Sequence, residues 1–103
     1  MRPLASPHHD VLTPHQAADF ADVLRALADP VRMRLLSMVL NAPDGLTTMQ
    51  MVKALDFRSQ GTVSHHMRIL ADAGFVVRKK ATHPYLPMPG ALDYVASFLA
   101  GPR

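Results

Sequence analysis

Apolar residues recur at helical spacing along most of this chain. Ala17, Phe20, Ala21, Leu24, Leu27 and Ala28 mark one stripe, with Asp19, Asp22 and Arg25 on the other side, and the pattern predicts an amphipathic helix. Its start is signalled by Thr13-Pro14-His15-Gln16, a capping box with Thr13 as N-cap, proline at the first helical position and Gln16 three residues on. Asp29-Pro30 repeats the cap-then-proline signal. Val31, Leu35, Met38 and Val39 then carry a second helix to Asn41, where the Pro43-Asp44-Gly45 turn stops it. Thr47 or Thr48 can cap a short third helix through Leu55, with Val52 and Leu55 as its buried positions. After the break Asp56-Phe57-Arg58, Ser59 caps a fourth helix that runs to about Ala73, with Gly74 closing it. Two short helices across so brief a turn match the helix-turn-helix plan.

Beyond Gly74 the helical spacing stops. Phe75-Val76-Val77-Arg78-Lys79-Lys80 is rich in strand formers and basic, Ala81 to Pro84 can turn, and Tyr85 to Met88 can return, so a small hairpin is predicted. Pro87 has no N–H for a ladder, which places the return strand at an edge and leaves it only partly paired. A last helix from about Gly90 to Leu99 sets Leu92, Val95, Phe98 and Leu99 on one stripe before Gly101-Pro102. Residues 1–12 carry two prolines and two adjacent histidines without periodicity and read as a mobile arm ahead of one domain over 13–100. The fold class is therefore mainly α with a small β component: five helices and a short hairpin.

Composition narrows the function. Of 103 residues, 49% are hydrophobic and 18% charged, enough for a packed core in a single domain. The stripes of the two end helices exceed what a three-helix core covers. Phe20, Leu24, Leu27, Leu92, Val95 and Leu99 are accordingly expected to meet a second copy in a homodimer. The chain has no cysteine, which excludes disulfides, thiolate metal ligands and thiol switches. The most apolar run, Val31 to Leu40, is interrupted by Arg32 and Arg34 and falls short of the roughly 20 residues that span a bilayer. With no hydrophobic segment at the N-terminus either, the expected location is cytoplasmic, away from membranes. Glutamate and a phosphate-binding glycine loop are both missing, and Ser64 beside His65 and His66 lies on a helix rather than in a cleft, so no catalytic role is expected.

Charge points to a polyanion. Residues 1–50 hold four basic side chains against five aspartates, whereas residues 51–80 hold six basic side chains against Asp56 and Asp72. A positive field gathered in one half is what a nucleic-acid-binding surface needs, although a merely solvated basic face has the same composition. On a helical wheel the fourth helix puts Val63, Met67 and Leu70 together, and Gly61, Thr62, His65, Arg68 and Ile69 opposite. His66 sits at the edge of the core face and reads as a packed, hydrogen-bonded histidine. The outer face suits a DNA major groove: Gln60 for adenine, Arg68 for guanine or phosphate, Thr62 and Ser64 for phosphate or a thymine methyl. Lys79 and Lys80 on the hairpin are expected to meet phosphates.

Ala26-Leu27-Ala28-Asp29-Pro30-Val31-Arg32-Met33-Arg34-Leu35-Leu36, followed by Ser59-Gln60-Gly61-Thr62-Val63-Ser64-His65-His66-Met67-Arg68-Ile69-Leu70 and Ala73-Gly74-Phe75-Val76, closely resembles the ArsR/SmtB family of bacterial repressors. The resemblance covers about Ala17 to Leu99. It implies a dimeric winged helix-turn-helix repressor acting on a palindromic operator, its first and last helices at the dimer interface and its hairpin as a wing. By position, Ser59, Gln60, Thr62, Ser64 and His65 match the family's DNA-reading residues. The family's usual sensor sites do not match. Where a cysteine pair stands in its arsenic and cadmium sensors, this chain has Thr47-Thr48-Met49-Gln50-Met51, and its last helix offers Asp93 but no histidine. The wing is also about two residues short and proline-rich. No cofactor or metal is expected; the release signal is an unidentified non-thiol input, for which an organic effector bound near the dimer helices, or regulation through expression level alone, fits better than the family's metal sites. Two alternatives stand beside this reading: a metal-responsive repressor using His8, His9, Asp10 and His15, and a winged helix kept for protein–protein contact.

Overall fold

A computed structural model describes residues 11–55 and 59–100, the side chains of 98–100 excepted. Helix α1 spans Pro14–Leu27, α2 Pro30–Leu40, α3 Thr48–Leu55, α4 Gln60–Asp72 and α5 Ala91–Ala100, with strands β1 Val76–Val77 and β2 Leu86–Pro87 between the last two helices.

Short-range polar contacts fix the helix starts. Thr13 Oγ1 accepts the Gln16 N–H while Gln16 Oε1 accepts the Thr13 N–H, closing the capping box that opens α1. Asp29 accepts the N–H groups of both Val31 and Arg32 at the start of α2. The Arg32 N–H above all holds the Asp29 carboxyl below the usual carboxylate range against the opposing effect of burial, with the Arg32 guanidinium charge and the Val31 N–H adding to the lowering. Before α3 the choice between two threonines falls to Thr47, which exchanges hydrogen bonds with Gln50 in a second capping box, while Thr48 is buried. Helix α4 ends in a Schellman turn: Phe75 donates to the Leu70 carbonyl and Gly74 to that of Ala71, with Gly74 at φ +88°.

The core is built on α2, α3 and α4. Leu35 and Val39, Met51 and Leu55, and Val63, Met67 and Leu70 form one buried cluster, closed from the hairpin side by Phe75, Val76 and Tyr85. The α4 residues expected inward are fully buried. In α3 the buried side chains are Thr48, Met51 and Leu55, whereas Val52 is only half-buried, because the helix turns its 48/51/55 row inward. Helix α1 also differs in detail from its sequence pattern. It meets the core through Val23, Ala26 and Leu27, leaves Ala17 and Ala28 exposed, and buries Phe20 within the single chain.

The hairpin pairs Val76 with Pro87 and Val77 with Leu86 in antiparallel register. On its far side the returning segment meets Leu46, which exchanges two backbone hydrogen bonds with Tyr85 at 3.0 and 2.7 Å. The return strand is thus an edge strand as expected, and its outer side is paired only at Tyr85, just before β2 begins. Because hydrogen-bonding direction alternates along a strand, Tyr85 and residue 87 face the Leu46 side, and Pro87, lacking an N–H, ends that pairing after a single bridge. Lys79 and Lys80 lie in the bend beyond β1, not on the strand itself.

Candidate nucleic-acid interface

Helix α4 joins a buried face to a polar one. Its Val63, Met67 and Leu70 are 0% exposed, while Gln60, His65 and Arg68 are exposed and Thr62 and Ser64 half-buried. Three fully buried side chains, each worth roughly 1.5–3 kcal/mol, hold the helix against the core and so fix the direction of the polar face.

At the helix start Ser59 Oγ accepts the Thr62 N–H at 3.1 Å and lies 2.9 Å from Thr62 Oγ1. Both hydroxyls are therefore engaged in the cap, and the amide of Gln60 is the first exposed side chain of the helix. The next exposed groups along the face are His65 and Arg68, and the His65 ring is tilted against that of His66 with centroids 5.8 Å apart. His66 is half-buried and hydrogen-bonded, as its place on the wheel suggested. Arg32 Nη1 lies 3.2 Å from His66 Nδ1, and because a guanidinium only donates, Nδ1 is the acceptor.

That arginine is a crosslink the sequence did not announce. Its Nε donates to the Ala26 carbonyl at 2.6 Å and its Nη2 to that of Arg25 at 3.2 Å, so one side chain from α2 closes the end of α1 and braces α4. Arg78 is a second residue missed by sequence reasoning. The basic run of the hairpin contained it, but only the fold sets its guanidinium over the Tyr85 ring, 4.4 Å from the centroid.

The remaining expected residues fall in three places. Lys79 and Lys80 are exposed at the tip of the hairpin. Leu24, Leu27 and Val95 are half-buried and Leu92 is 48% exposed, along α1 and α5; the side chain of Leu99 lies outside the described residues. His15 faces Asp19 one turn on, Nε2 to Oδ2 3.3 Å, whereas His8, His9 and Asp10 lie outside the described residues. Among the described residues no three potential metal ligands cluster, and no helix is long and apolar enough to cross a membrane.

A family described as a helix-turn-helix domain matches residues 27–79. The HTH-type transcriptional regulator NmtR of Mycobacterium tuberculosis is 37% identical over 65 residues, which are 63% of this chain and 52% of that protein. The chain thus spans about half the length of this curated relative. An ArsR-like transcriptional regulator from Rhodococcus sp. RHA1 shares the fold, with a TM-score of 0.67 at 22% sequence identity over 82% of this chain and 79% of that one.

Proposed function

Because the chain belongs to the helix-turn-helix domain family, in its ArsR-type winged form, we propose that it is a sequence-specific DNA-binding transcriptional regulator, a homodimeric repressor of a palindromic operator. The observation that carries this reading is the two-faced α4, whose exposed Gln60, His65 and Arg68 stand on a helix anchored by three side chains of zero exposure. Such a helix enters a major groove with its N-terminal residues against base edges. Gln60 then reads adenine, Arg68 takes guanine or phosphate, and Ser59, Thr62, Ser64 and His65 complete the reading surface. Lys79 and Lys80 at the hairpin tip meet phosphates.

The test is a competition titration on a duplex that the purified protein selects from a randomised pool, beside random DNA. Gln60→Ala is expected to cost about 1–3 kcal/mol on the selected duplex and much less on random DNA. The Lys79→Ala, Lys80→Ala pair is expected to weaken both and to flatten log affinity against log salt by about 0.9 for each lost contact. Equal losses on both DNAs for Gln60→Ala would refute base reading by α4.

Two helices support the dimer. Leu92 of α5 is 48% exposed, and among the described side chains of α5 Ala91 and Val95 pack half-buried against the core, so that apolar surface of this helix is open to a partner copy. Half-buried Leu24 of α1 is available to the same partner, while Leu27 packs partly on the core and Phe20 is already buried within the chain. Leu24→Asp is expected to shift sedimentation at micromolar concentration from dimer to monomer, and a monomeric wild type would refute the interface. The signal that releases the repressor is a non-thiol input; a small organic effector held near the dimer helices and regulation through expression level alone both fit.

A further inference from the structure

The recesses of this molecule differ in chemistry. Beneath α5 the lining is largely apolar, with Val23, Phe75 and Val95 among its residues. Between α4 and the hairpin a cleft of about 290 Å³ is of mixed character, with Ser64 and Arg68 from the helix and Arg78 and Tyr85 from the hairpin set among apolar neighbours that include Val76 and Val77. Ser64 and Arg68 are one helical turn apart and so share a face.

Arg78 is held in place before any ligand arrives. Its guanidinium stacks on Tyr85, 4.4 Å from the ring centroid, and its Nη1 donates to the Ala81 carbonyl at 2.7 Å. Tyr85 in turn is 4% exposed and bridged to Leu46 through both backbone groups. A stacked, singly hydrogen-bonded guanidinium keeps most of its donor fork for another acceptor. No acidic residue lines the cleft, and among the described residues neither Arg68 nor Arg78 is paired with a carboxylate. Two unneutralised guanidinium groups and a hydroxyl around one hollow are the donors that a phosphate takes.

We propose that this cleft seats a backbone phosphate of the bound DNA, clamped between α4 and the hairpin, with Arg78 as the hairpin's share of the clamp. The inference rests on the DNA-binding reading above and adds its register. A strand leaving the groove under α4 passes the foot of the hairpin, and a phosphate fixed there sets how far α4 reaches along the bases. Lys79 and Lys80 carry charge at the tip; Arg78 supplies position.

The experiment compares wild type with Arg78→Ala, Arg78→Lys and Ser64→Ala on the selected duplex and on random DNA across a four-fold range of salt. Thermal unfolding of each variant and a titration of inorganic phosphate into the free protein accompany it. Arg78→Ala is expected to weaken both DNAs and to flatten the salt slope by about 0.9 per subunit, so that its deficit narrows about 3-fold per subunit over that range. Arg78→Lys should restore the slope but not the affinity, since charge returns without the stacked fork. Ser64→Ala should lower affinity at unchanged slope. A lower melting temperature for Arg78→Ala with an unaltered slope would overturn the proposal, leaving Arg78 as a brace of the hairpin. Inorganic phosphate that binds the free protein tightly and competes with DNA would overturn it too, assigning the cleft to a free phosphate-bearing ligand. A wild type that binds neither DNA would overturn the DNA-binding reading itself, whereas normal wild-type binding with unaltered variant slopes overturns the clamp alone.

Discussion

Met67→Ala is expected to cost about 2–5 kcal/mol of folding stability and, with it, discrimination between the selected duplex and random DNA. Met67 is 0% exposed and sits midway along α4, within the cluster that joins α2, α3 and α4. Truncation removes three heavy atoms from a close-packed site whose neighbours close over the space only in part. Against a total stability of about 5–15 kcal/mol for a domain of this kind, the loss is a large fraction. Because the same side chain anchors the polar face, the variant is expected to bind the selected duplex less tightly even where it is still folded. Urea unfolding gives the first quantity and competition titration below the unfolding transition the second. A loss under about 1 kcal/mol would show that the core does not hold α4 through this residue.

Gly45→Ala should be comparably severe for a different reason. Gly45 lies at φ +78°, and a Cβ there falls 2.4 Å from the Tyr85 carbonyl oxygen and 2.8 Å from Leu86 Cδ2. The left-handed backbone alone costs an L-residue about 1–2 kcal/mol. The contact with a backbone oxygen cannot be relieved by a rotamer change, so Leu46 and Tyr85 must separate, at about 0.5–1.5 kcal/mol for each of two hydrogen bonds. The sum is about 2–5 kcal/mol. Since Tyr85 also carries Arg78, the variant is expected to reproduce the shallower salt slope of Arg78→Ala. Amide exchange at Leu46 and Tyr85 should accelerate in step with the stability loss, and wild-type protection at both would disprove the argument.

How much of this was legible depends on the range of each interaction. Thr13 with Gln16, Asp29 ahead of Pro30 and Ser59 ahead of α4 were readable because a cap is written within four residues. The inward face of α4 was readable because Val63, Met67 and Leu70 fall together on the wheel, whereas Ile69, placed opposite them by the wheel, in fact packs half-buried against the core. Helix α1 was harder: apolar residues cover so much of its circumference that Ala17, Leu24 and Ala28 form as good a stripe as Val23, Ala26 and Leu27, and only the neighbouring helices decide which turns inward. Arg32 and Arg78 had no local signature. Each acts on groups brought near by the fold, the α1 carbonyls and His66 in one case and the Tyr85 ring in the other. A bridge of one residue pair, Leu46 with Tyr85, has no periodicity to detect.

Pro87 has a consequence for the solubility of the hairpin. A strand segment with a vacant side is a template on which another chain can zip, and an exposed basic hairpin would otherwise offer such a template to every neighbour. Here β1 occupies one side of the return segment. On the other, the Leu46 bridge fills the first position, and the next inward-facing position is a proline without a donor. An incoming strand would find no row of N–H groups to follow on the outer side of the return segment, so pairing there is blocked by the covalent structure of one residue, whatever the hairpin's charge.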